Sequence, residues 1–357
     1  MLLAFELSGE HETLPKAEVF ACLNALRVAY EERKLSDRLL VIDAQLSPES
    51  ELLDVLSKRL GMTHCIYDVR GMSELDEKEI LKIVETADLD AVMKKEDTFA
   101  VRVRVTRKSS FYSKRKDLPA MVGACIKRKG YTVNLENPSK TFVIRLTAQA
   151  CFFCLLLHSL DKKQFEEKKP HLRPFFSPGV IMPKIARALV NLSGVKDKEL
   201  FLDPFCGTGG ILIEAGMIGA RIIGADVQDK MVKGAKKNLK SFGLPSDSIV
   251  SDATKMPLED NSVDAIATDM PYGRSSLVSW SGGALITKSR SVFLERLYHD
   301  AVDEIHRVLK PGRKAVIVSN SPSYHYLYRK HGFRLLEKYT YRVHKSLNRY
   351  ITVLEKE

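Results

Sequence analysis

A glycine-rich turn between a predicted strand and a predicted helix constrains this sequence more than any other feature. The mostly apolar run 199–202 ends in Asp203, and Gly207, Gly209 and Gly210 follow before an apolar helical pattern begins. Glycines let a backbone turn sharply and approach a ligand closely. A strand, a glycine-rich turn and a helix in this order place a ligand at the carboxyl edge of an open α/β sheet. We therefore predict a nucleotide-type cofactor here, the alternative being a generic α/β turn.

The spacing of these glycines argues against the common phosphate-binding patterns. A dinucleotide site uses G-x-G-x-x-G directly after the strand, and the third glycine of that pattern is missing after Gly207 and Gly209. The pattern G-x-x-x-x-G-K-[ST] is also absent from the sequence. Asp203 at the strand end would repel a pyrophosphate, because both are negatively charged, and it suits a cationic amino-acid group instead.

Two further acidic residues end the next predicted strands. Asp226 closes the run 221–226, at about the spacing from which a carboxylate binds ribose hydroxyls, and Asp252 follows the third strand. A ligand with a ribose, an adenine and a positively charged head group fits these three acids. S-adenosyl-L-methionine is such a ligand.

The segment 203–210, Asp-Pro-Phe-Cys-Gly-Thr-Gly-Gly, resembles the first motif of Rossmann-like methyltransferases. The resemblance implies a site for S-adenosyl-L-methionine, with no metal. The segment 173–179 resembles an additional motif of that family, so Phe176 or Ser177 is expected to close over the cofactor; a plain proline-rich helix start is the alternative. The full set of implied cofactor contacts is Asp203, Gly207, Thr208, Gly209, Asp226, Val227, Asp252, Ala253, Phe176 and Ser177.

A fourth predicted strand, 263–268, runs into the turn Asp269-Met-Pro-Tyr272. The turn resembles the Asp-Pro-Pro-Tyr signature of enzymes that methylate exocyclic amino groups of nucleobases. By this resemblance the Asp269 carboxylate and the Met270 carbonyl accept hydrogen bonds from the amino group, Pro271 stiffens the turn, and Tyr272 stacks on the base. Two acceptors are needed because the lone pair of such an amine is delocalised into the ring. Met270 replaces a proline of the signature, so one fixed φ angle is lost while the carbonyl remains.

The first 160 residues follow a different pattern, which predicts an α+β region that binds RNA. In the run 98–106, three valines alternate with Arg102 and Arg104, as in a strand with one apolar and one basic face. The layout and the basic alternation resemble the THUMP domain of RNA-modifying enzymes, at about 71–160, after a ferredoxin-like module at about 1–70. The residues expected to contact RNA are Arg102, Arg104, Lys114, Arg115, Lys116, Lys127, Arg128, Lys129, Arg274 and Trp280, with a buried anchor as the alternative for Trp280.

Composition and local patterns complete the expected organisation. The net charge of +11 favours a polyanionic partner, and no apolar stretch approaches the length of a membrane span, so we expect a cytoplasmic protein. A charged stretch, 161–170, is predicted to be an exposed linker before a methyltransferase domain at 171–357. Cys151 and Cys154 are expected to be structural, not metal ligands. We expect helices at about 15–33, 47–60 and 177–190, and the alternation of strands and helices predicts a doubly wound sheet in the second half. The resemblance to Rossmann-like methyltransferases implies that this sheet has seven strands.

The combination of the two halves resembles the archaeal tRNA guanine-N2 methyltransferases that act at position 10 of tRNA, over nearly the whole chain. The resemblance implies tRNA as substrate and partner, with one or two methyl groups added, and we expect a monomer, with an accessory subunit as an alternative. Three other functions remain open at this point. They are methylation of another tRNA or rRNA guanine, methylation of adenine N6 in DNA, and RNA binding without catalysis.

Overall fold

The structure, a computed structural model, describes residues 1–106, 108–161, 163–272, 290–344 and 347–357, with the backbone alone at 114, 115, 290 and 291. The chain divides into two compact units. The N-terminal unit comprises Met1–Glu10, Arg27–Lys58 and Thr63–Leu160, and the C-terminal unit comprises His11–Leu26, Arg59–Met62 and Asp161–Glu357.

The N-terminal unit is built on one eight-stranded sheet with the strand order β2-β3-β1-β4-β8-β7-β5-β6. The two segments expected to be separate modules therefore share a sheet, because β4 pairs with β8 in antiparallel fashion. Its elements are β1 (Leu2–Leu7), β2 (Tyr30–Ser36), β3 (Leu39–Ala44), α2 (Glu51–Arg59), β4 (Thr63–Ser73), α3 (Glu77–Thr86), β5 (Thr98–Val105), a 3₁₀ helix (Ser110–Lys116), α4 (Leu118–Arg128), β6 (Thr132–Val133), β7 (Lys140–Leu146) and β8 (Cys151–Ser159).

The C-terminal unit is built on a seven-stranded sheet with the order β11-β10-β9-β12-β13-β15-β14. The first five of these strands are parallel and β15 runs antiparallel to its neighbours, which confirms the predicted Rossmann-like fold. Its elements are α1 (Leu14–Ala25), α5 (Lys163–Glu166), α6 (Pro183–Leu192), β9 (Leu200–Asp203), α7 (Gly210–Met217), β10 (Arg221–Asp226), α8 (Asp229–Ser241), β11 (Ile249–Val250), β12 (Val263–Asp269), α9 (Arg290–Val308), β13 (Leu309–Ser319), α10 (His325–Lys330), β14 (Phe333–His344) and β15 (Leu347–Lys356).

Three predicted helix boundaries are wrong. The helix expected at 15–33 ends at Ala25, since Arg27 has a positive φ of 57° and the chain then enters β2. The helix expected at 47–60 begins only at Glu51. The helix expected from 177 begins at Pro183, because Gly179 has a φ of 86° and a proline suits the first helical position.

The charged stretch 161–170 is also less exposed than expected. It contains the short helix α5, whose Phe165 is buried. The Lys168 ammonium is buried as well and lies 2.9 Å from a carboxylate oxygen of Glu214 on α7. Phe165 and Lys168 are therefore part of the packed C-terminal unit. The density of charged residues along the sequence gives no sign of this packing.

A buried carboxylate explains why α1 and residues 59–62 belong to the C-terminal unit. Glu18 on α1 is fully buried and accepts hydrogen bonds from the backbone N–H groups of Gly61, at 2.9 Å, and Met62, at 2.8 Å. The side-chain amide of Asn191 on α6 donates a third hydrogen bond to Glu18, at 2.9 Å. Three separate parts of the chain are thus joined at one side chain.

The substitution Glu18→Ala is expected to lower the stability of the C-terminal unit by several kcal/mol, because each buried donor left without a partner costs about 1–3 kcal/mol. Chemical denaturation followed by fluorescence or circular dichroism measures this change. Glu12→Ala, at a nearby position whose side chain is exposed, serves as the control and should change stability by less than about 0.5 kcal/mol. Equal stabilities of the two variants would contradict the assigned role of Glu18.

Candidate active site

A cavity of about 1190 Å³ opens at the carboxyl ends of the parallel strands of the C-terminal unit. This is the edge at which open α/β sheets bind ligands. Predicted residues from all four strand ends line it together, namely Asp203, Gly207, Thr208, Asp226, Val227, Asp252, Ala253, Asp269, Met270, Pro271 and Tyr272. The structure therefore brings the expected cofactor motif and the expected amino-group motif to one cavity.

The glycine-rich turn is shaped by two residues with left-handed backbone conformations. Gly207 has a φ of 49° and Gly209 a φ of 79°. A Cβ atom at Gly209 would lie 3.2 Å from the Cβ atom of Ala235 on α8, so a side chain would also be crowded there. The Asp226 carboxylate holds the turn by accepting hydrogen bonds from the N–H groups of Gly207, at 3.0 Å, and Gln228, at 2.9 Å.

Asp203 is a buried carboxylate at the end of β9. Its Oδ1 atom accepts hydrogen bonds from the Thr268 hydroxyl, at 2.7 Å, and from the Phe205 backbone, at 3.2 Å. Burial raises the pKa of Asp203 to about 7, and the nearby carboxylates of Asp269 and Asp226 add to this effect. A cation placed in the cavity would favour the ionised form of Asp203.

The third strand end is more open. Asp252 is exposed, and its Oδ1 atom accepts hydrogen bonds from the backbone, at 2.9 Å, and the hydroxyl, at 2.8 Å, of Thr254. Val227 is also exposed, while Ala253 and Thr208 are buried. A polar group beside small apolar surfaces is suited to a heterocyclic base.

The turn Asp269–Tyr272 is held in place by hydrogen bonds and packing with β13 and α9, which its local sequence does not predict. The N–H group of Met270 donates a hydrogen bond to the Val318 carbonyl on β13, at 2.9 Å, which a proline at this position could not do. The Met270 side chain is buried in the core beneath the turn. The Tyr298 hydroxyl on α9 donates to the Pro271 carbonyl, at 3.3 Å. The lost proline is therefore replaced by a hydrogen bond and by packing.

Arg349 on β15 is a site residue that sequence reasoning missed. Its buried guanidinium donates hydrogen bonds to Asp269 Oδ2, at 2.9 Å, and to the Tyr272 hydroxyl, at 3.1 Å. The Tyr272 hydroxyl in turn donates to Asp269 Oδ1. Burial raises the pKa of Asp269, and the neighbouring Arg349 and Tyr272 oppose that shift. The strand pattern of 347–354 gave no signal for this role, since Arg349 lies about 80 residues from the turn that it contacts.

The segment 173–179 meets the cavity at Ser177, which lines it, whereas Phe176 is 54% exposed and is not among the described lining residues. The segment is held in place by Phe175, the residue before Phe176. Phe175 exchanges hydrogen bonds of 2.8 and 2.9 Å with the Asn238 side chain on α8 and packs on Gly234, where a Cβ atom would overlap its ring.

The residues expected to contact RNA differ in their surroundings. Arg102 is exposed, with a hydrogen bond of 2.8 Å to the Leu135 carbonyl, whereas Arg104 forms an ion pair with Glu6 on β1. Arg128 forms an ion pair with Glu85, and Lys129 donates to the Ala87 carbonyl. Acids remote in sequence therefore neutralise part of the basic run. Lys116 and Lys127 are exposed, the side chains of Lys114 and Arg115 are not described, and Arg274 and Trp280 lie outside the described residues.

Three further features of the described residues concern their thiols, their metal-ligating side chains and the apolar character of their helices. The six cysteines are buried and free, and burial raises the pKa of Cys151 to about 12, as expected for structural thiols. No cluster of His, Cys, Asp and Glu suited to a metal ion occurs in the described part of the chain. Across the same residues, none of the helices has the length and apolar character that crossing a membrane requires.

Two family models match the chain. The model of the RMKL-like methyltransferase domain matches residues 170–351, and that of the THUMP domain matches residues 74–156. The tRNA (guanine(10)-N2)-dimethyltransferase of Methanothermobacter thermautotrophicus is 36% identical to this chain over 356 residues, which cover 98% of each protein. The chain belongs to this methyltransferase family.

A second family member, the tRNA (guanine(10)-N2)-dimethyltransferase of Pyrococcus abyssi, is 31% identical over 353 residues and 98% of each protein. Among solved structures, TrmN from Thermus thermophilus matches over the full length of both chains, with a TM-score of 0.54 and 20% identity, which shows the same fold. The family resemblance predicted from the motifs is confirmed, as are the THUMP and methyltransferase domains.

Proposed function

We propose that the C-terminal unit transfers a methyl group from S-adenosyl-L-methionine to the exocyclic N2 atom of guanine 10 in tRNA. The observation that carries the proposal is that the carboxylates of Asp203 and Asp269 end neighbouring strands and line one cavity. One carboxylate suits a cationic cofactor and the other suits an amino group. The family supports this substrate over adenine in DNA and over RNA binding without catalysis, since the relatives named above are tRNA guanine methyltransferases.

The residues of the cavity fit S-adenosyl-L-methionine, which supplies an activated methyl group on sulfur when bound. Gly207 and Thr208 line the cavity, and a Cβ atom at Gly207 would meet nothing closer than the Phe205 carbonyl at 4.0 Å, so a side chain there would project into open space. Gly209 is not among the described lining residues, and its left-handed conformation shapes the turn instead. We assign Asp203 to the ammonium group and Asp226 to the ribose hydroxyls, because each carboxylate oxygen can accept more than one hydrogen bond. Val227, Ala253 and Asp252 are assigned to the adenine, and Ser177, which lines the cavity where Phe176 does not, is assigned to the outer side of the cofactor.

The acceptor side of the cavity orients the guanine. Asp269 and the Met270 carbonyl accept hydrogen bonds from the N2 amino group, which turns the nitrogen lone pair toward the methyl group. Tyr272 provides a stacking face for the extruded base, and Pro271 keeps the turn rigid. Holding the two reacting atoms in line supplies much of the rate acceleration. Asp269 or a water molecule then takes the proton released from the amine.

Guanine fits an aspartate especially well at this position. Its N1–H and N2–H groups are adjacent donors, and an ionised carboxylate is an acceptor with two oxygens. Adenine presents an acceptor, N1, beside its N6 amino group, so an anionic partner would face one repulsive contact.

We assign the basic surface of the N-terminal unit to tRNA binding. Phosphate contacts of Lys and Arg position a nucleic acid without selecting its sequence. The exposed Arg102, Lys116 and Lys127 are the best placed of the expected residues, since Arg104 and Arg128 are already ion-paired. We also propose a cytoplasmic location, a monomeric state and the addition of a second methyl group.

Asp269→Ala is expected to lower the methylation rate about 100-fold or more, because an acceptor that orients the amine in the transition state is lost. Mass spectrometry of nucleosides from digested tRNA measures the products, N2-methylguanosine and N2,N2-dimethylguanosine. The affinity for tRNA should stay nearly unchanged, as should the activity of Asp260→Asn, a control at an exposed carboxylate before β12. Turnover of Asp269→Ala within about tenfold of the wild type would contradict the role of Asp269.

The pKa of Asp203, raised to about 7 by burial, predicts pH-dependent cofactor binding. Below this pKa the carboxyl group must lose a proton to bind a cation, so affinity for S-adenosyl-L-methionine should rise with pH up to about 7 and then level off. Isothermal titration calorimetry at several pH values measures the change. Asp203→Asn should bind weakly and without this pH dependence, whereas a wild-type affinity that is flat between about pH 5.5 and 8 would exclude the assignment.

Binding of tRNA is expected to weaken steeply with salt, since each phosphate contact releases counterions. Lys127→Gln should reduce the slope of log affinity against log salt by about one. Lys82→Gln is the matched control, because Lys82 is exposed but already paired with Glu79 on α3. A wild-type affinity that is independent of salt would rule out binding through the basic surface.

A further inference from the structure

The Arg349 guanidinium joins three parts of the C-terminal unit at the cavity. Its Nε atom donates to the Tyr272 hydroxyl, at 3.1 Å, while one terminal nitrogen donates to Asp269 Oδ2, at 2.9 Å, and to the Gly179 carbonyl, at 2.6 Å. The side chain is 5% exposed, so these hydrogen bonds are shielded from water. The turn Asp269–Tyr272, the segment 173–179 and the strand β15 therefore meet at Arg349.

The charges around Asp269 make this contact consequential. The Asp269 carboxylate is close enough to Asp203 on β9 to add to the raised pKa of Asp203, and Arg349 on β15 is the cation in direct contact with Asp269. Tyr272 on the same turn donates to Asp269, and Tyr298 on α9 lies nearby. Among the described residues, the other charged or titratable side chains that line the cavity are Cys206, Asp226, Lys230, Asp252, Arg296, Asp300 and His344. A buried carboxylate beside a second carboxylate resists ionisation unless a cation accompanies it.

The hydrogen bonds also divide the two oxygens of Asp269 between two partners. Oδ2 is held by Arg349, and Oδ1 accepts from the Tyr272 hydroxyl. The hydroxyl therefore occupies an acceptor position that an incoming amino group needs. Because the hydroxyl oxygen also accepts from Arg349 Nε, it keeps that partner when an amine takes its place on Oδ1.

We propose that Arg349 is a positioning residue for methyl transfer, which keeps Asp269 anionic and aims its Oδ1 atom at the target amino group. The inference rests on the proposed function and names a residue that the motifs do not include. Arg349 acts through Asp269 and Tyr272 and does not contact the transferred methyl group.

The test compares the pH dependence of the single-turnover methylation rate for wild type, Arg349→Gln and Arg349→Lys, with tRNA and S-adenosyl-L-methionine saturating. Without the cation, burial leaves the pKa of Asp269 further above its ordinary range, so the acid limb of the profile moves to higher pH. Arg349→Gln should therefore lose at least about tenfold more activity at pH 6.5 than at pH 9, relative to the wild type. Arg349→Lys, which keeps the charge, should retain a profile close to that of the wild type at a reduced rate.

Arg334→Gln is the matched control, because Arg334 on β14 pairs with Glu355 on β15 in an exposed ion pair and does not line the cavity. Its rate and pH profile should equal those of the wild type. The dissociation constants for tRNA and S-adenosyl-L-methionine should change by less than about threefold in Arg349→Gln. An equal loss at every pH, or no loss, would overturn the positioning role. Absence of methylated guanosine with the wild type would instead refute the proposed function, so the two failures are distinguishable.

Discussion

Keeping a carboxylate ionised in a buried site is the constraint on which the methylating end of this protein depends. Asp269 lies at the end of β12, beside the buried Asp203, and burial opposes the charge of both. Arg349 supplies the compensating cation from β15, the antiparallel strand inserted next to β13. The order of the last two strands therefore has a chemical consequence, because it brings an arginine from the end of the chain to the central turn.

The same principle distinguishes the two carboxylates by their surroundings. Asp203 has hydroxyl and backbone donors, with no cation in direct contact among the described residues, so its pKa rises to about 7. It is suited to a ligand that brings its own positive charge. Asp269 has a resident cation and a hydroxyl donor, so it is suited to a neutral amine that brings only hydrogen-bond donors. Two acids on adjacent strands thus serve two different partners.

Much of the fold and part of the site followed from the sequence. The strand ends at Asp203 and Asp226, the glycine turn and the doubly wound sheet were predictable because apolar strands, acids and glycines alternate in a local pattern. The number of seven strands followed from the family resemblance. Contacts between distant segments were not predictable: Glu18 with Gly61, Arg349 with Asp269, and Glu6 with Arg104 each join residues without a common local motif. For the same reason, the basic residues of the N-terminal unit carry less unpaired positive charge than the sequence suggests, since Arg104 and Arg128 form ion pairs with distant acids.

The proposed methyl transfer depends most on the contact between Asp269 and the target amino group. A crystal structure of the protein with S-adenosyl-L-homocysteine and a tRNA containing guanine 10 tests that contact most directly. We predict that N2 of the extruded guanine lies about 2.7–3.2 Å from Asp269 Oδ1 and from the Met270 carbonyl, with the Tyr272 ring against the base. A bound guanine whose N2 atom lies beyond about 4 Å from both acceptors, while Tyr272 still donates to Asp269, would contradict the account.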